Sequence, residues 1–305
     1  MATVTLAESA KLAQDELIEG VIEDVITVNP FFDVIPFAGI DGNALTYNRE
    51  NALGDVQGAA VGDTITAKNP ATFTQVTSSL TTIIGDAEVN GLIQATRSSK
   101  TDQTAVQVSS KAKSAGRQFQ DWLVNGTGTA PQFAGMLNLV DSTQLYDTGA
   151  NGAALSFDIL DGVIDLVTDK DGEVDYLMMN ARTIRSYNAL LRGLGGAGIN
   201  ETMELPSGRR VPMYRGIPIF RNDWNPVNQT KGTSTGTTTI FAGTLDDGSE
   251  SHGLAGLTAR NQAGIVVEDV GVAESRDERI TRVKWYCGLA LFSLRGLAAA
   301  DGITN

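Results

Sequence analysis

The chain has 305 residues and a formal net charge of −13 at pH 7, and its residues are 42% hydrophobic but only 6% aromatic. Phosphate backbones repel such an acidic chain, which disfavours a general nucleic-acid binder. No apolar run reaches the roughly 18 residues of a membrane span, and the single Cys287 excludes an internal disulfide or a zinc cage made of cysteines. We expect a soluble, cytosolic protein of one large domain or two smaller ones.

The chain opens with a predicted N-terminal arm that ends at residue 38. Helical spacing of apolar residues over 1–28 predicts an amphipathic helix, which Asn29-Pro30 ends because proline disfavours helical geometry in the residue before it. An aromatic cluster begins at Phe31 and Phe32. Two interpretations stay open: the cluster anchors this segment in the subunit's own core, or it belongs to an arm that packs on a neighbouring subunit.

Residues 39–91 show no helical pattern. They contain β-branched runs separated by glycines such as Gly58, and between the runs the composition is too polar to form a core. Because an isolated two-stranded ribbon is marginal in water, we expect a projecting β-arm that lies on another chain. The alternative is a floppy surface insertion. Lys68 is the only lysine of this arm.

A long helix follows, over about 102–124. Apolar residues at steps of three and four, from Ala105 to Trp122, form a narrow stripe along it. Ser99 and Asp102 fit a capping box at its start, and Asn125-Gly126 is expected to end it in a left-handed conformation. At 1.5 Å per residue the helix spans roughly 35 Å.

The loop over 126–136 is predicted to be a tight, shaped connection rather than a solvent linker. Gly126, Gly128, Pro131 and Gly135 provide turns, and apolar residues such as Phe133 anchor the loop. The elements predicted after it are, in order, a helix over 156–167, a buried strand over 174–179, a helix over 180–194, a strand pair over 211–220, a surface loop over 222–239, a strand and turn over 240–248, and two terminal strands over 263–270 and 280–294.

Motifs for enzymatic chemistry are weak. The G-x-G-x-x-G run over 193–198 follows a helix instead of a strand, so the geometry of a dinucleotide site is missing. The acidic run over 169–175 departs from a calcium loop and is interpreted as a plain turn. His252 is the only histidine and has no nucleophile motif nearby. We therefore predict no enzyme, no cofactor and no metal site.

The order of elements resembles a known family. A β-arm, then a long helix that ends in Gly126-x-Gly128, then Pro131 and Gly135 followed by a hydrophobic residue, is similar to the major capsid protein of tailed bacteriophages, with its Hong Kong 97-like shell fold. The downstream series of a strand, Met179-Asn180 and a helix also resembles the axial domain of that family. The likeness in element order covers nearly the whole chain.

The resemblance implies an α+β fold and a division into domains. The expected parts are 1–38, N-terminal arm; 39–91, extended β-arm or E-loop; 92–150, peripheral domain with the spine helix; 151–262, axial domain; and 263–305, peripheral domain with the terminal strands.

The resemblance also implies a function. We expect a major capsid protein that assembles through pentamers and hexamers into the icosahedral head of a tailed double-stranded DNA phage, in the host cytoplasm. Its partners would be other copies of itself, packaged DNA by non-specific proximity, and portal, scaffolding or decoration proteins, but no membrane. An encapsulin-like compartment is the alternative, and a cytosolic enzyme is the third hypothesis. Scaffolding is expected on a separate protein, and the shell is expected to be noncovalent.

The residues expected to make assembly contacts come from four segments: the aromatic cluster, the arm, the loop after the long helix and the glycine run over 193–198. The resemblance implies that the glycine run is a flexible loop near the capsomer centre. They are Phe31, Phe32, Gly58, Lys68, Gly126, Gly128, Pro131, Gly135, Gly195 and Gly196.

Overall fold

The computed structural model describes residues 29–97, 102–169, 172–193 and 202–304. Over these ranges the chain is an α+β protein with a five-stranded sheet, an eight-stranded sheet and a separate two-stranded ribbon. The helices are α1 Gly91–Arg97, α2 Gln103–Asn125, α3 Met136–Leu139, α4 Phe157–Thr168 and α5 Ala181–Gly193. None of the described helices combines the length and apolar character needed to cross a membrane.

The strands alternate with these helices and with short 3-10 turns at Pro30–Asp33, Ser142–Gln144 and Leu294–Gly296. They are β1 Phe37–Ile40, β2 Ala44–Ala52, β3 Thr72–Ser79, β4 Thr81–Asn90, β5 Leu145–Tyr146, β6 Tyr176–Met179, β7 Thr202–Glu204, β8 Arg210–Tyr214, β9 Ile217–Arg221, β10 Gln229–Lys231, β11 Ser234–Gly243, β12 Leu254–Ala259, β13 Ile265–Val272, β14 Glu278–Leu291 and β15 Leu297–Ile303.

The five-stranded sheet is organised around β14. Its strand order is β1-β12-β14-β13, and β4 pairs with β14 antiparallel from Asn90 opposite Glu278 to Thr81 opposite Cys287. Side chains alternate across a strand with period 2, so Val283, Trp285 and Cys287 all point to one buried face. The long helix α2 lies across that face.

The helix α2 confirms the predicted long helix, although its apolar stripe is buried only from Ala115 onward and Ala105 at the start of the stripe is exposed. Phe119 is fully buried, and its ring stacks on Trp285 with centroids 4.7 Å apart. The rings of Phe32, Phe37 and Phe133 surround it at 5.5, 5.8 and 5.5 Å. Each such aromatic pair contributes about 0.5–1.5 kcal/mol beyond the burial of its area.

The ends of α2 differ from the sequence prediction. Asp102 caps the first turn, because its Oδ1 accepts hydrogen bonds from the backbone N–H groups of Thr104 at 3.0 Å and Ala105 at 3.4 Å. Ser99 lies outside the described residues. At the other end the left-handed prediction is wrong: Gly126 has φ −55°, and its N–H donates to the Trp122 carbonyl. Glycine is required there for space, as shown below.

The eight-stranded sheet has the order β5-β15-β11-β6-β9-β8-β7, with β10 paired to β11. The predicted buried strand is β6, whose four residues are all buried, and the predicted flanking helices are α4 and α5. Ser156 caps α4 through a hydrogen bond from Ile159 N to its Oγ at 3.2 Å. The Leu, Ile and Val side chains of α4 pack on this sheet in a second core.

Two predictions in the C-terminal half are wrong. The surface loop predicted over 222–239 contains β10 and the first half of β11, because its threonines are β-branched and Thr237, Thr238 and Thr239 are buried in the sheet. The chain also has a third terminal strand, β15. It lies between β5 and β11 in the eight-stranded sheet, not with the predicted peripheral strands.

Some strands also pair with strands from a different predicted domain. The strand β12 falls within 151–262, yet it pairs with β14 in the five-stranded sheet. The β-arm predicted over 39–91 is shorter in the structure: β3 pairs with β2 in the arm, whereas β4 enters the five-stranded sheet after Leu80. The domain boundaries stay a prediction, and the helix predicted over 1–28 lies outside the described residues.

The outer face of the five-stranded sheet carries ion pairs between neighbouring strands. Arg282 on β14 binds Asp86 on β4 with both Nε and Nη2 at 2.8 Å, and Lys284 binds Glu268 on β13 at 2.5 Å. The hydrogen bond from Arg282 holds the pKa of Asp86 below its ordinary value, and the hydrogen bond from Lys284 does the same for the pKa of Glu268.

This pairing predicts a pH-dependent effect of Asp86→Asn. A carboxyl group whose pKa is lower in the folded state stabilises the fold above its unfolded pKa, and loses that contribution as the pH falls through the folded pKa. The variant should therefore be less stable than the wild type at neutral pH, and the difference should shrink as the pH falls below about 3.9. Urea unfolding followed by fluorescence at several pH values measures it.

The control is Glu88→Gln, which removes an exposed carboxylate from the same strand. Its unfolding midpoint should follow the wild type at every pH. A pH-independent difference between Asp86→Asn and the wild type would contradict the ion-pair explanation.

Candidate assembly surfaces

The β-arm formed by β2 and β3 exposes apolar side chains along its length. Val56 is 95% exposed, and Leu53, Val61, Ile65 and Phe73 are also largely exposed. Monomeric soluble proteins seldom expose several large apolar side chains on one projecting element, and such surfaces mark interaction sites. The arm therefore has the surface expected of an element that a second chain covers.

The base of the arm is fixed to the five-stranded sheet. The Tyr47 hydroxyl donates to the Leu291 carbonyl at 2.7 Å, and Arg49 donates from Nη2 to the same carbonyl at 2.6 Å and from Nε to the Phe292 carbonyl at 3.0 Å. The Tyr47 ring also packs edge-on against Phe292, with centroids 5.2 Å apart. These contacts set the direction in which the arm leaves the subunit.

The tip of the arm, residues 53–71, has no strands but is held by polar contacts. The Gln57 Oε1 accepts from the N–H groups of Thr66 at 2.6 Å and Ala67 at 2.7 Å, and its Nε2 donates to the Thr64 carbonyl at 3.2 Å. Asp55 N donates to the Asn69 carbonyl at 3.1 Å. These hydrogen bonds connect the two sides of the tip.

The two arm residues expected to make assembly contacts both lie in this tip. Gly58 and Lys68 are exposed, and a Cβ added to Gly58 would meet nothing within 4 Å. Local packing therefore does not require glycine at position 58. Their roles in contacts between subunits stay predictions.

The aromatic cluster near the N-terminus is an internal anchor. Phe31 is buried, and its ring packs against Tyr176 at 4.9 Å and Phe220 at 5.5 Å. The Asn29 side chain fixes the turn by accepting from Phe31 N at 3.0 Å. Of the two interpretations, the anchor in the subunit's own core describes Phe31, because a ring this buried cannot also reach a neighbour. Phe32 is half-buried against α2.

The loop after α2 is a compact hairpin, as the sequence predicted. Gly135 N donates to the Gly126 carbonyl at 2.9 Å, and Gly128 N donates to the Phe133 carbonyl at 3.2 Å. A Cβ on Gly126 would lie 2.2 Å from the Phe133 carbonyl oxygen, and one on Gly135 would lie 2.5 Å from the Trp122 carbonyl oxygen. Both glycines are therefore required for the close approach of the two backbones.

The tip of this hairpin, residues 127–131, is exposed and forms a knob on the surface. Gly128 has φ +72°, which favours glycine, and Pro131 follows a cis peptide bond. Asn138 Nδ2 donates to the Thr127 carbonyl at 3.0 Å, while the buried Phe133 ring anchors the base. The knob is thus a preformed shape available to a neighbouring subunit.

Sequence reasoning missed a groove beside this knob. The groove has a volume of about 390 Å³ and lies between α2, β4 and the hairpin, where Ile84, Lys111, Trp122 and Pro131 line it. Its residues come from separate segments, so no local pattern indicates it. Gly195 and Gly196 lie outside the described residues.

Solved structures share this fold over nearly their whole length. The SrpI encapsulin in a holo complex from Synechococcus elongatus matches with a TM-score of 0.75 and 18% identity, over 99% of this chain and 96% of that one. The capsid of a native GTA particle matches with a TM-score of 0.70 and 12% identity, over 100% of both chains. The capsid of Myoviridae phage XM1 matches with a TM-score of 0.64 and 12% identity, over 99% of this chain and 100% of that one. The fold is that of the Hong Kong 97-like shell proteins.

A sequence model of one protein family also matches the chain. The model of the SU10 major capsid protein matches residues 26–205, which is more than half of the chain. The chain therefore belongs to the SU10 major capsid protein family, and it is a structural protein whose copies assemble into a virion shell. No curated protein matches the sequence.

The hairpin geometry predicts that Gly126→Ala destabilises the subunit, because the added methyl group collides with the Phe133 carbonyl. Overpacking of this kind costs about 1–3 kcal/mol. The measurement is the midpoint of urea unfolding together with the yield of soluble protein. Gly58→Ala adds the same methyl group in open space and should leave both values unchanged. Equal effects of the two substitutions would contradict the proposed packing.

Proposed function

We propose that this major capsid protein closes the icosahedral head of a tailed phage through pentamers and hexamers, and that the head encloses double-stranded DNA. The observation that carries the proposal is the match to the SU10 major capsid protein over residues 26–205. The arm supports it, since a projecting ribbon with exposed Val56, Val61 and Ile65 gains burial only on another subunit.

The mechanism is geometric. Each subunit reaches neighbours with its arm and presents the knob over 127–131 to others, so that several moderate contacts add up. A neighbouring subunit that covers the arm removes apolar area from water at about 25 cal/mol per Å². The rigid base at Tyr47 and Arg49 limits the angles at which the arm can meet a neighbour, and this restriction favours closed rings over irregular aggregates.

The charge of the chain fits a container for DNA. A net charge of −13 gives little general attraction for phosphate, so the enclosed DNA would be held by confinement and not by a binding site. Portal, scaffolding and decoration proteins are further partners in this proposal, and assembly takes place in the host cytoplasm.

An encapsulin-like compartment is the second candidate, and the observation that favours it is the TM-score of 0.75 with the SrpI encapsulin. The two candidates differ in content. Particles recovered from infected cells should contain nuclease-protected DNA if the chain forms a phage head, whereas a compartment should contain a cargo protein and no protected DNA.

The exposed apolar side chains of the arm are expected to be required for assembly. Replacing Val56, Val61 and Ile65 together with Thr keeps the polar network of the tip but removes apolar surface, and should leave folded subunits that no longer close into shells. Size-exclusion chromatography, electron microscopy and circular dichroism report particle size, closure and folding.

The matched control is Val227→Thr, an exposed valine outside the arm, which should assemble like the wild type. Closed shells from the triple variant at wild-type yield would contradict the role of the arm.

The shell is further proposed to be noncovalent. Lys68 is exposed in the arm tip, but no sequence pattern identifies an acceptor asparagine or the carboxylate that a crosslink to a neighbour would need. Denaturing gel electrophoresis of assembled particles should therefore give a lone band near 32.2 kDa. A ladder of multimers would contradict this, and Lys68→Arg would then show whether that lysine forms the crosslink.

A further inference from the structure

A loop that assembly does not explain joins the two large sheets. It connects the end of β11 in the eight-stranded sheet to the start of β12 in the five-stranded sheet, and the bridge between Leu245 and Leu254 closes it. Asp246, Asp247 and His252 lie within it. One ligand atom from each of these side chains lies within 4.8 Å of the other two.

Asp246, one member of this cluster, carries a buried oxygen without a hydrogen-bond partner among the described residues. Only 6% of the residue is exposed. Its Oδ2 accepts from the N–H groups of Gly248 at 2.9 Å and Glu250 at 3.2 Å, whereas its Oδ1 is buried and has no hydrogen-bond partner among the residues that the structure describes. Buried polar atoms in folded proteins are normally paired, so a cation in contact with this oxygen is favoured.

The side chains of Asp247 and His252 are each held by a hydrogen bond. Asp247 Oδ1 accepts from Ser249 N at 2.9 Å, and its Oδ2 faces His252 Nε2 at 3.9 Å, which is too far for a hydrogen bond. The other imidazole nitrogen, His252 Nδ1, is hydrogen-bonded to Ser251 Oγ at 2.9 Å. Each of the two residues thus has one polar atom held by the loop and one atom turned toward the cluster.

We propose that this loop binds a divalent transition-metal ion of the Zn²⁺ class through Asp246, Asp247 and His252, a site that goes beyond the shell function. Two carboxylates and one imidazole are ligands of such ions, and a hydrogen bond on the second imidazole nitrogen is the usual support of a metal-bound histidine. Ca²⁺ and Mg²⁺ take oxygen ligands, so the imidazole disfavours them.

The fit requires only small movements. Bonds of about 2.0–2.2 Å place tetrahedral ligands roughly 3.3–3.6 Å apart, compared with the separations of up to 4.8 Å in the cluster. Asp247 and His252 are exposed and free to close around the ion, and water completes the coordination. A bound ion would then stabilise the loop that connects the two sheets.

The test uses metal-stripped protein without a histidine tag, titrated with Zn²⁺ in a calorimeter. We expect a single saturable site per subunit, and millimolar Mg²⁺ or Ca²⁺ should not displace the ion. His252→Ala and Asp247→Asn should each weaken binding by at least about tenfold. Glu274→Gln, which neutralises an exposed carboxylate outside the loop, should bind like the wild type.

A second readout does not depend on the variants. His252 is the only histidine of the chain, so modification by diethyl pyrocarbonate reports on this site, and Zn²⁺ should protect it. Equal modification with and without Zn²⁺, or equal Zn²⁺ affinity in wild type and His252→Ala, would overturn the proposal.

Discussion

The stack of Phe119 on Trp285 joins four distant parts of the chain. Phe119 belongs to the long helix and Trp285 to the central strand of the five-stranded sheet, while Phe32 and Phe133 bring the N-terminal turn and the hairpin to the Phe119 ring. The hairpin and the five-stranded sheet are therefore held by one aromatic cluster, whereas the arm is fixed separately at Leu291 and Phe292. Since interiors are close-packed and transmit strain, a change in this cluster would move the knob, the helix and the sheet together.

Elements with a strong periodic pattern could be predicted from the sequence, and those without one could not. The amphipathic stripe of α2 and the apolar faces of α4 and β6 repeat with the period of their structures. The strand β15 escaped prediction because its small residues Ala298, Ala299 and Ala300 are buried on both faces and show no alternation. The threonine-rich sequence of β11 has the composition of a polar loop. It forms a strand because the neighbouring strands pair with it.

Some features of the candidate sites could likewise be predicted from the sequence, and others could not. The hairpin could be predicted because Gly126, Gly128 and Gly135 are local requirements of its backbone, and the arm because its composition cannot form a core. The groove beside Ile84 and the unpaired oxygen of Asp246 depend on residues distant in sequence or on burial, which no local pattern reveals. For the same reason Phe31 could be interpreted in two ways until its contacts with Tyr176 and Phe220 were known.

The order of the strands in the two sheets also constrains when the subunit becomes complete. The strand β14 is the centre of the five-stranded sheet, and β15 is inserted between β5 and β11 in the eight-stranded one. Both strands follow residue 277 in the chain, so during synthesis each sheet lacks a member until that region has left the ribosome. Pairings between distant segments form slowly. The arm and the knob, which are encoded earlier, therefore gain the support of β14 only after that strand has been synthesised. The order of the strands thus makes the completion of both sheets depend on residues that are synthesised after the arm and the knob.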